Sequence, residues 1–434
     1  MKKIRCCLIL LLMMVYACKK ETDAVFIKSP DERLNDTLHK YQDLLTGAPY
    51  GWKALIYPAG APNSVFGFYL RFNDSNRVQM LSDFDAASLQ TLRESSWRLK
   101  ALQQPCLIFD TYSYIHVLCD PDGSHNGGQD GVGLGSDFEF AIDGLYGDTL
   151  ALSGRLHNSK ALLVKASAEE RDSYLQHRIS RDIDSIHTML TYFKKLVTAN
   201  NRYDVRVNTA LHQVNFTWVV SGKARSVTTG YYYTPGGIGL SPAFDDSSNN
   251  ILRAISQIRW NKGQLDCSVN GIRAVIAETV YPVAIDVNAA KRWYQTALAQ
   301  QAYWFSFTGF HVNGVDDGYG IQRLPHFAGI TYWPRTYGPN IDFDMLGFVL
   351  KYGGESAQVY YGPGYTAPTF TTDGRVVFND IGLYGDSLPA DLAPVLRSQA
   401  RMADKQGFFI IQTAANKYDM VSARDGKAWI SWQR

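Results

Sequence analysis

Three groups of residues have the type and spacing to carry chemistry. The first is the loop Asp120-Pro121-Asp122-Gly123-Ser124-His125-Asn126-Gly127-Gly128-Gln129-Asp130-Gly131. It crowds side-chain oxygens onto a glycine-rich turn, as calcium requires, since that ion takes roughly six to eight oxygen ligands. Asp120, Asp122, Asn126 and Asp130 are the candidate ligands. Gly133 stands where an EF-hand places its bidentate glutamate, so a solvated turn between strands stays open as the alternative. The second group is aromatic. Tyr332, Trp333, Tyr337, Tyr361 and Tyr365 fall in a stretch interleaved with glycine and proline, such as Tyr361-Gly362-Pro363-Gly364-Tyr365. On loops such rings stack on sugars or anchor a peptide, whereas on strands they fill a core. The third group is acidic. Asp342 and Asp344 flank Phe343 and share a face if that segment is a strand, with His311, Asp316, Asp317 and His326 nearby in sequence. Two carboxylates at a suitable separation are what glycoside hydrolysis needs. A solvated strand face is the competing use.

Other catalytic signatures are missing from the sequence. There is no GxSxG elbow, no HExxH and no CxxC, and Gly131-Val132-Gly133-Leu134-Gly135 lacks the spacing of a phosphate loop. No catalytic residue is assigned, and calcium is the one cofactor the residues suggest.

The N-terminus carries chemistry of another kind. Met1-Lys2-Lys3-Ile4-Arg5 is a basic start, Leu8 to Val15 is apolar, and Tyr16-Ala17 precede Cys18. This is the layout of a secretory signal over residues 1–17, and its apolar run is too short for a bilayer, which takes about 20 residues as a helix. A cysteine at that place resembles the lipobox of bacterial lipoproteins, which implies lipidation of Cys18 and cleavage before it. Two or more acyl chains, at about 0.8 kcal/mol per buried methylene, give a stable membrane anchor. Residues 18–28 read as a lipidated tether, and the charged Lys19-Lys20-Glu21-Thr22-Asp23 resembles the signal that turns such proteins outward on an outer membrane.

Composition narrows the rest. A chain of 434 residues with 46% hydrophobic and 19% charged residues is a folded protein of two or three domains. Its net charge of +2, with no Lys/Arg block after the leader, argues against a nucleic-acid partner. Of six cysteines, Cys6 and Cys7 leave with the leader. Cys106, Cys119 and Cys267 read as small buried apolar residues, with a Cys106–Cys119 disulfide as the alternative.

The elements that must position these groups are mostly strands. Ser29-Pro30-Asp31-Glu32 is a capping box that opens a helix with Leu34, Leu38, Tyr41 and Leu45 on one stripe, ended by Gly47. Short alternating runs follow, among them Phe66–Phe72, Cys106–Phe109 and Leu162–Val164, separated by turns such as Asn73-Asp74-Ser75-Asn76. A second capping box, Ser167-Ala168-Glu169-Glu170, predicts a long amphipathic helix carrying Ile179, Ile183, Ile186, Leu190 and Phe193 as far as Asn201. Strand-like runs then resume. The hairpin pattern Phe138–Ile142, Tyr146-Gly147-Asp148, Thr149–Ser153 recurs as Ile255–Trp260, Asn261-Lys262-Gly263, Gln264–Val269, a weak internal repeat. The expected class is mainly β (α+β): antiparallel β-barrel or sandwich units with a few packed amphipathic helices. The expected segments are a β-rich domain at 29–166, a connecting helix at 167–201, a middle β unit at 202–285 and a C-terminal α+β domain at 286–434.

Several short stretches are similar to one family. They are Pro49-Tyr50-Gly51-Trp52-Lys53, Arg98-Leu99-Lys100-Ala101-Leu102-Gln103, Phe109-Asp110-Thr111-Tyr112-Ser113-Tyr114-Ile115-His116, Asp120-Pro121-Asp122-Gly123, Asp137-Phe138-Glu139-Phe140 and Tyr233-Thr234-Pro235-Gly236-Gly237-Ile238. From near Ser29 to about Thr279 the chain resembles the uncharacterised Bacteroidota lipoproteins called domain of unknown function 4302. The resemblance implies an accessory lipoprotein beside SusC/SusD-like outer-membrane uptake systems, and it supplies no activity or catalytic residue. The function expected is a surface-tethered, non-catalytic binding or accessory component for a glycan or peptide ligand. The alternatives are a secreted hydrolase using the C-terminal acids, or an adhesion or structural module.

Overall fold

The computed structural model describes residues 28–248, 250–336, 342–354, 356–385 and 388–434. Cys18, the leader, most of the tether and Tyr337 lie outside the described residues. The class is mainly β, as two closed antiparallel barrels followed by an open sheet.

The first barrel is a meander of eight strands: β1 (Trp52–Tyr57), β2 (Phe66–Phe72), β3 (Arg77–Ser82), β4 (Arg93–Ala101), β5 (Pro105–Phe109), β6 (Glu139–Tyr146), β7 (Thr149–Gly154) and β8 (Lys160–Lys165). It closes where β1 pairs with β8, Trp52 opposite Lys165 and Tyr57 opposite Lys160. Alternation decides what fills it: Trp52, Ala54 and Ile56 from β1 and Leu150 and Leu152 from β7 point into one core. Helix α1 (Pro30–Thr46) closes one side. Its capping box forms as read, Ser29 Oγ accepting from the Glu32 N–H at 3.2 Å and Glu32 Oε2 from the Ser29 N–H at 2.8 Å. Leu45 joins the barrel core, and the Trp52 indole donates to the Leu45 carbonyl at 3.0 Å.

The second barrel repeats the plan with β9 (Phe193–Val197), β10 (Arg202–Asn208), β11 (Gln213–Val220), β12 (Lys223–Thr234), β13 (Gly237–Asp245), β14 (Ile251–Asn261), β15 (Gln264–Val269) and β16 (Ile272–Thr279), closing between β16 and β9. The two hairpins that recur in sequence, β6–β7 and β14–β15, are the sixth and seventh strands of their barrels. Each carries a register shift, at Ile142/Gly144 and at Ser256/Arg259.

The continuous helix expected over 167–201 is corrected by the structure. Its capping box is present, but helix α2 spans only Ala168–Leu175. His177 takes a left-handed φ of 54° and ends it. A 3₁₀ turn over Asp182–Thr188 follows, and then β9, so the second barrel begins at Phe193. Of the expected stripe, Ile183 and Ile186 fill the second barrel together with Met189 and Leu196, whereas Phe193 faces away from it. Residues near i+3 and i+4 also meet on a 3₁₀ turn, which is why the spacing misled.

The third unit has helices α3 (Ala289–Ala299) and α4 (Ala393–Met402) and an eleven-stranded open sheet. Its strands are β17 (Trp304–Ser306), β18 (His311–Val312), β19 (Phe327–Trp333), β20 (Asp344–Leu350), β21 (Gln358–Tyr365), β22 (Thr369–Phe370), β23 (Arg375–Val377), β24 (Asp380–Gly385), β25 (Phe408–Ala414), β26 (Lys417–Ser422) and β27 (Ala428–Gln433). One face buries Trp293 and Ala297 of α3 and Val395 and Met402 of α4 in a single core. Phe193 of β9 packs on Phe409, Val421 and Ala423, which joins this sheet to the second barrel.

The two barrels meet through buried polar groups. Asp83, just after β3 and wholly buried, accepts from the Gly67 N–H of its own barrel at 2.8 Å and from the Tyr233 N–H of the other at 3.0 Å. Gly67 is required here, because a Cβ would lie 2.7 Å from Asp83 Oδ2. His212, also wholly buried, sends its Nδ1 to the Val65 carbonyl at 3.2 Å, while its Nδ1 is 3.6 Å from Asp83. Phe66, Tyr231 and Tyr233 pack around the imidazole. Arg181 donates to the Asp83 carbonyl at 3.0 Å and lies 4.4 Å over the Tyr233 ring. Burial dominates both titrations: it raises the Asp83 carboxyl to about 7 and lowers the His212 imidazole to about 3.

These opposite shifts give opposite pH dependences. An acid raised on folding contributes stability at low pH that is lost as pH rises from about 4 through 7, and an imidazole lowered on folding costs stability at low pH that is recovered as pH rises from about 3 to 6.5. Wild type should therefore gain on His212→Gln across that second window and lose on Asp83→Asn across the first. Urea unfolding of the three proteins from pH 4 to pH 7 checks this. Slopes of the same sign would reject the seam as described.

Candidate functional site

The expected aromatic surface is corrected by burial. Tyr332, Tyr361 and Tyr365 are at most 1% exposed and belong to the core of the third unit, and Trp333 is half-buried against Tyr303 at 5.3 Å. The interleaved glycines and prolines sit within β21, not in a loop. A tyrosine is buried without penalty when its hydroxyl finds a partner, and Tyr332 donates to Asp344 Oδ2 at 2.6 Å.

That bond also settles the acid pair. Asp344 is wholly buried and also accepts from Tyr294 at 3.3 Å and from the Arg335 N–H at 3.0 Å. Burial raises its carboxyl above the usual range, against the lowering effect of these donors. Asp342 is exposed and precedes the strand, so the two carboxylates do not flank a common space. Asp316 bonds His311 Nδ1 at 2.6 Å, and His311 stacks on Trp429.

In the Asp120–Gly131 loop the acidic side chains accept hydrogen bonds from the loop's own backbone and from Tyr112 and His125. Asp120 Oδ2 accepts from the Tyr112 hydroxyl at 2.6 Å and pairs with His125 Nδ1 at 3.0 Å, and its Oδ1 accepts from the Asp122 N–H. The Tyr112 bond, then the Asp122 N–H and His125, hold Asp120 down at about 2. Asp122 accepts from the Ser124 N–H at 2.9 Å and Asp130 from the Gly123 N–H at 3.0 Å. Asn126 is buried and ties the Val117 and Asp120 carbonyls at 2.8 Å each. These bonds fold the loop, and among the described residues no three His, Cys, Asp or Glu side chains gather where a metal ion could sit. The three described cysteines are free, and burial lifts the Cys119 and Cys267 thiols to about 12, as suits inert packing residues.

An open concave surface lies elsewhere, in a cleft of about 710 Å³ in the third unit. One wall is the loop from Val315 to Pro325, and the other is the start of α4 with Pro389, Asp391, Pro394 and Arg397. Asp317 shapes the first wall, its two oxygens accepting from the Ile321 and Gln322 N–H groups at 2.8 and 2.9 Å. Asp391 likewise accepts from the Ala393 N–H at 3.0 Å. Tyr319 is fixed by Arg401, whose Nε donates to its hydroxyl at 3.0 Å. Arg323 and Arg397 are left over: both are exposed, and neither guanidinium has a hydrogen-bond or ion-pair partner among the described residues. A guanidinium holds five donors in a planar fork, so two of them across a cleft suit a ligand rich in paired oxygens. Nothing in the local sequence singles out these arginines, which are 74 positions apart and meet only through the fold.

The family described as Domain of unknown function (DUF4302) matches residues 22–262. The chain belongs to this family. The match covers α1, the first barrel and the second barrel up to the end of β14, so β15, β16 and the cleft lie beyond it. No curated protein matches the chain. Among solved structures, the DNA polymerase III beta chain of Streptococcus pneumoniae TIGR4 aligns at 9% identity over 90% of this chain and 91% of its own, with a TM-score of 0.14. That likeness is too low to bear on fold or function.

Removing the Tyr332 hydroxyl tests the burial directly. Tyr332→Phe leaves Asp344 Oδ2 without its donor inside the core and should cost about 1–3 kcal/mol of unfolding free energy, measured by denaturant titration. A cost near zero would place Tyr332 at the surface.

Proposed function

We propose that the chain is a surface-tethered, non-catalytic binding component, anchored by lipid on Cys18 and holding a polar glycan or peptide ligand in the cleft of its third unit. The observation that carries this reading is the pair of exposed, unpartnered guanidiniums of Arg323 and Arg397 at that cleft. Arginine binds oxygens by geometry and does not exchange protons near neutral pH, so it serves holding over general acid–base chemistry. Four acids and one imidazole support the same reading. Asp344 and the Asp83–His212 pair are sealed from solvent, and Asp317 and Asp391 are spent on their own backbones.

The place of action rests on the sequence. The run from Met1 to Cys18 and the charged Lys19–Asp23 support a lipoprotein facing outward on an outer membrane. The family resemblance supports an accessory role beside SusC/SusD-like uptake proteins.

Three measurements test the proposal. Cys18→Ser should move the protein from the membrane fraction to the soluble fraction, and mass spectrometry of the wild type should find acyl chains at position 18. An unmodified, uncut N-terminus would remove the anchor. On glycan and peptide arrays, an Arg323→Gln/Arg397→Gln double variant should lose at least about tenfold in binding, the loss expected for one charge-assisted hydrogen bond. Unchanged binding would remove the cleft from the function.

A further inference from the structure

The second barrel is more basic than the chain it belongs to. Residues 193–279 hold ten Lys and Arg against five Asp and Glu, an excess of five where the whole chain has two. None of the ten stands within ion-pair distance of an acid among the described residues. They are scattered in sequence, and the barrel decides where they gather.

Five of them gather at one end, closed by the turns at 198–201, 221–222 and 270–271. Asp204 pairs with Thr217, a register that carries on to set Arg202 beside Val219. Across the next hairpin Lys223 pairs with Val220 and Arg225 with Trp218. The Asn270 amide donates to the Ile251 carbonyl at 2.9 Å. That bond brings the start of β14, with Arg253, against the turn that precedes Ile272 and Arg273. All five cations are exposed. So are three aliphatic side chains among them, Val219, Ile251 and Ile272, at 43, 42 and 52%. The acids here are occupied: Asp246 is buried and accepts from the Tyr203 hydroxyl at 2.7 Å, and Asp245 accepts from the Ser247 N–H at 2.8 Å.

The neighbouring units hold the barrel by its other end. The first barrel is met at Gln213 and Tyr233, and Phe193, where β9 begins, packs on the open sheet. Among the described residues no hydrogen bond or ion pair runs from the basic end to either unit.

Five unanswered cations call for an anionic partner by charge complementarity. The exposed aliphatics say which kind. Sugar chains and protein surfaces are gripped chiefly by aromatic rings, and valine is under-represented at such contacts. The rings of this end, Tyr203, Trp218 and Phe244, are buried. A bilayer surface rewards both features, since apolar side chains enter the acyl boundary while cations meet charged headgroups.

We propose that this end of the second barrel docks on a bilayer surface rich in anionic lipid. The five cations meet headgroup phosphates, and Val219, Ile251 and Ile272 enter the acyl boundary. The contact needs no lipid on Cys18; with that anchor in place it fixes which way the body stands on the membrane.

The test is co-sedimentation of the full Cys18→Ser chain with vesicles, so that no acyl anchor contributes. Phosphatidylglycerol and phosphatidylcholine in equal parts should bind at least about tenfold better than phosphatidylcholine alone. That binding should weaken as salt rises from about 0.01 to 0.15 M. Arg202→Gln/Arg253→Gln/Arg273→Gln should cost about a hundredfold at low salt, at roughly fivefold for each charge removed. Its thermal midpoint should not fall, because none of the three has a partner to lose. Ile251→Ser/Ile272→Ser should weaken vesicle binding several-fold and leave retention on heparin as in the wild type. Arg323→Gln/Arg397→Gln should bind vesicles as the wild type does, so this end and the cleft fail separately. Equal binding to both kinds of vesicle, or a triple variant that binds as the wild type does, overturns the proposal. An isoleucine variant with undiminished vesicle binding makes the end a site for any polyanion and overturns it too.

Discussion

A single carboxylate, that of Asp83, holds the first two units in register. Its two oxygens are divided between the barrels, one accepting from the Gly67 N–H and the other from the Tyr233 N–H. A backbone donor buried between two closed barrels has no sheet neighbour, so it must be answered by a side chain. The Asp83 acceptor answers both at once, and the absence of a Cβ on Gly67 lets the strands come close enough for it to do so. Gln213 reinforces the contact by donating to the Pro62 carbonyl and to Ser64, as does the Tyr57–Ser241 hydroxyl pair. The seam is polar, yet most of its groups are satisfied, which is the condition under which buried polar networks fix one arrangement.

The remaining joint is built differently. Phe193 on β9 sits among Phe409, Val421 and Ala423, with Tyr192 donating to Asp419 at 2.5 Å at its rim. This contact is chiefly apolar. One strand therefore serves two masters, closing the second barrel through β16 and docking the open sheet through its first residue.

Much of the fold was legible in the chain. Period-two alternation in segments such as Trp52–Tyr57 and Gln213–Val220 marks strands with one buried face, and both capping boxes form the bonds their residues predict. The recurring hairpins proved to be equivalent strands of two barrels. The segment 167–201 was misread because its isoleucines keep a spacing that helix, 3₁₀ turn and barrel plug all satisfy, and only His177 in a left-handed conformation breaks the ambiguity. The tyrosines at 332, 361 and 365 were misplaced because a phenol is as suited to a core as to a rim, and the deciding partner, Asp344, is set by the pairing of β19 with β20. The residues now assigned to binding gave no local signal. Alternation does place Arg202 and Val219 outside the barrel, but the cations that gather with them lie as far along the chain as Arg273.

Closure of the barrels governs how the chain must be handled as a physical object. Residue 52 has to find residue 165, and β9 waits for β16, before either cylinder has all its backbone hydrogen bonds. A fragment cut at residue 262 would end after β14 and strand both β9 and β14 with bare peptide edges. Such edges invite pairing between molecules. The natural unit for expression or dissection thus runs at least through Thr279, a boundary dictated by the geometry of the cylinder and invisible in the extent of shared sequence.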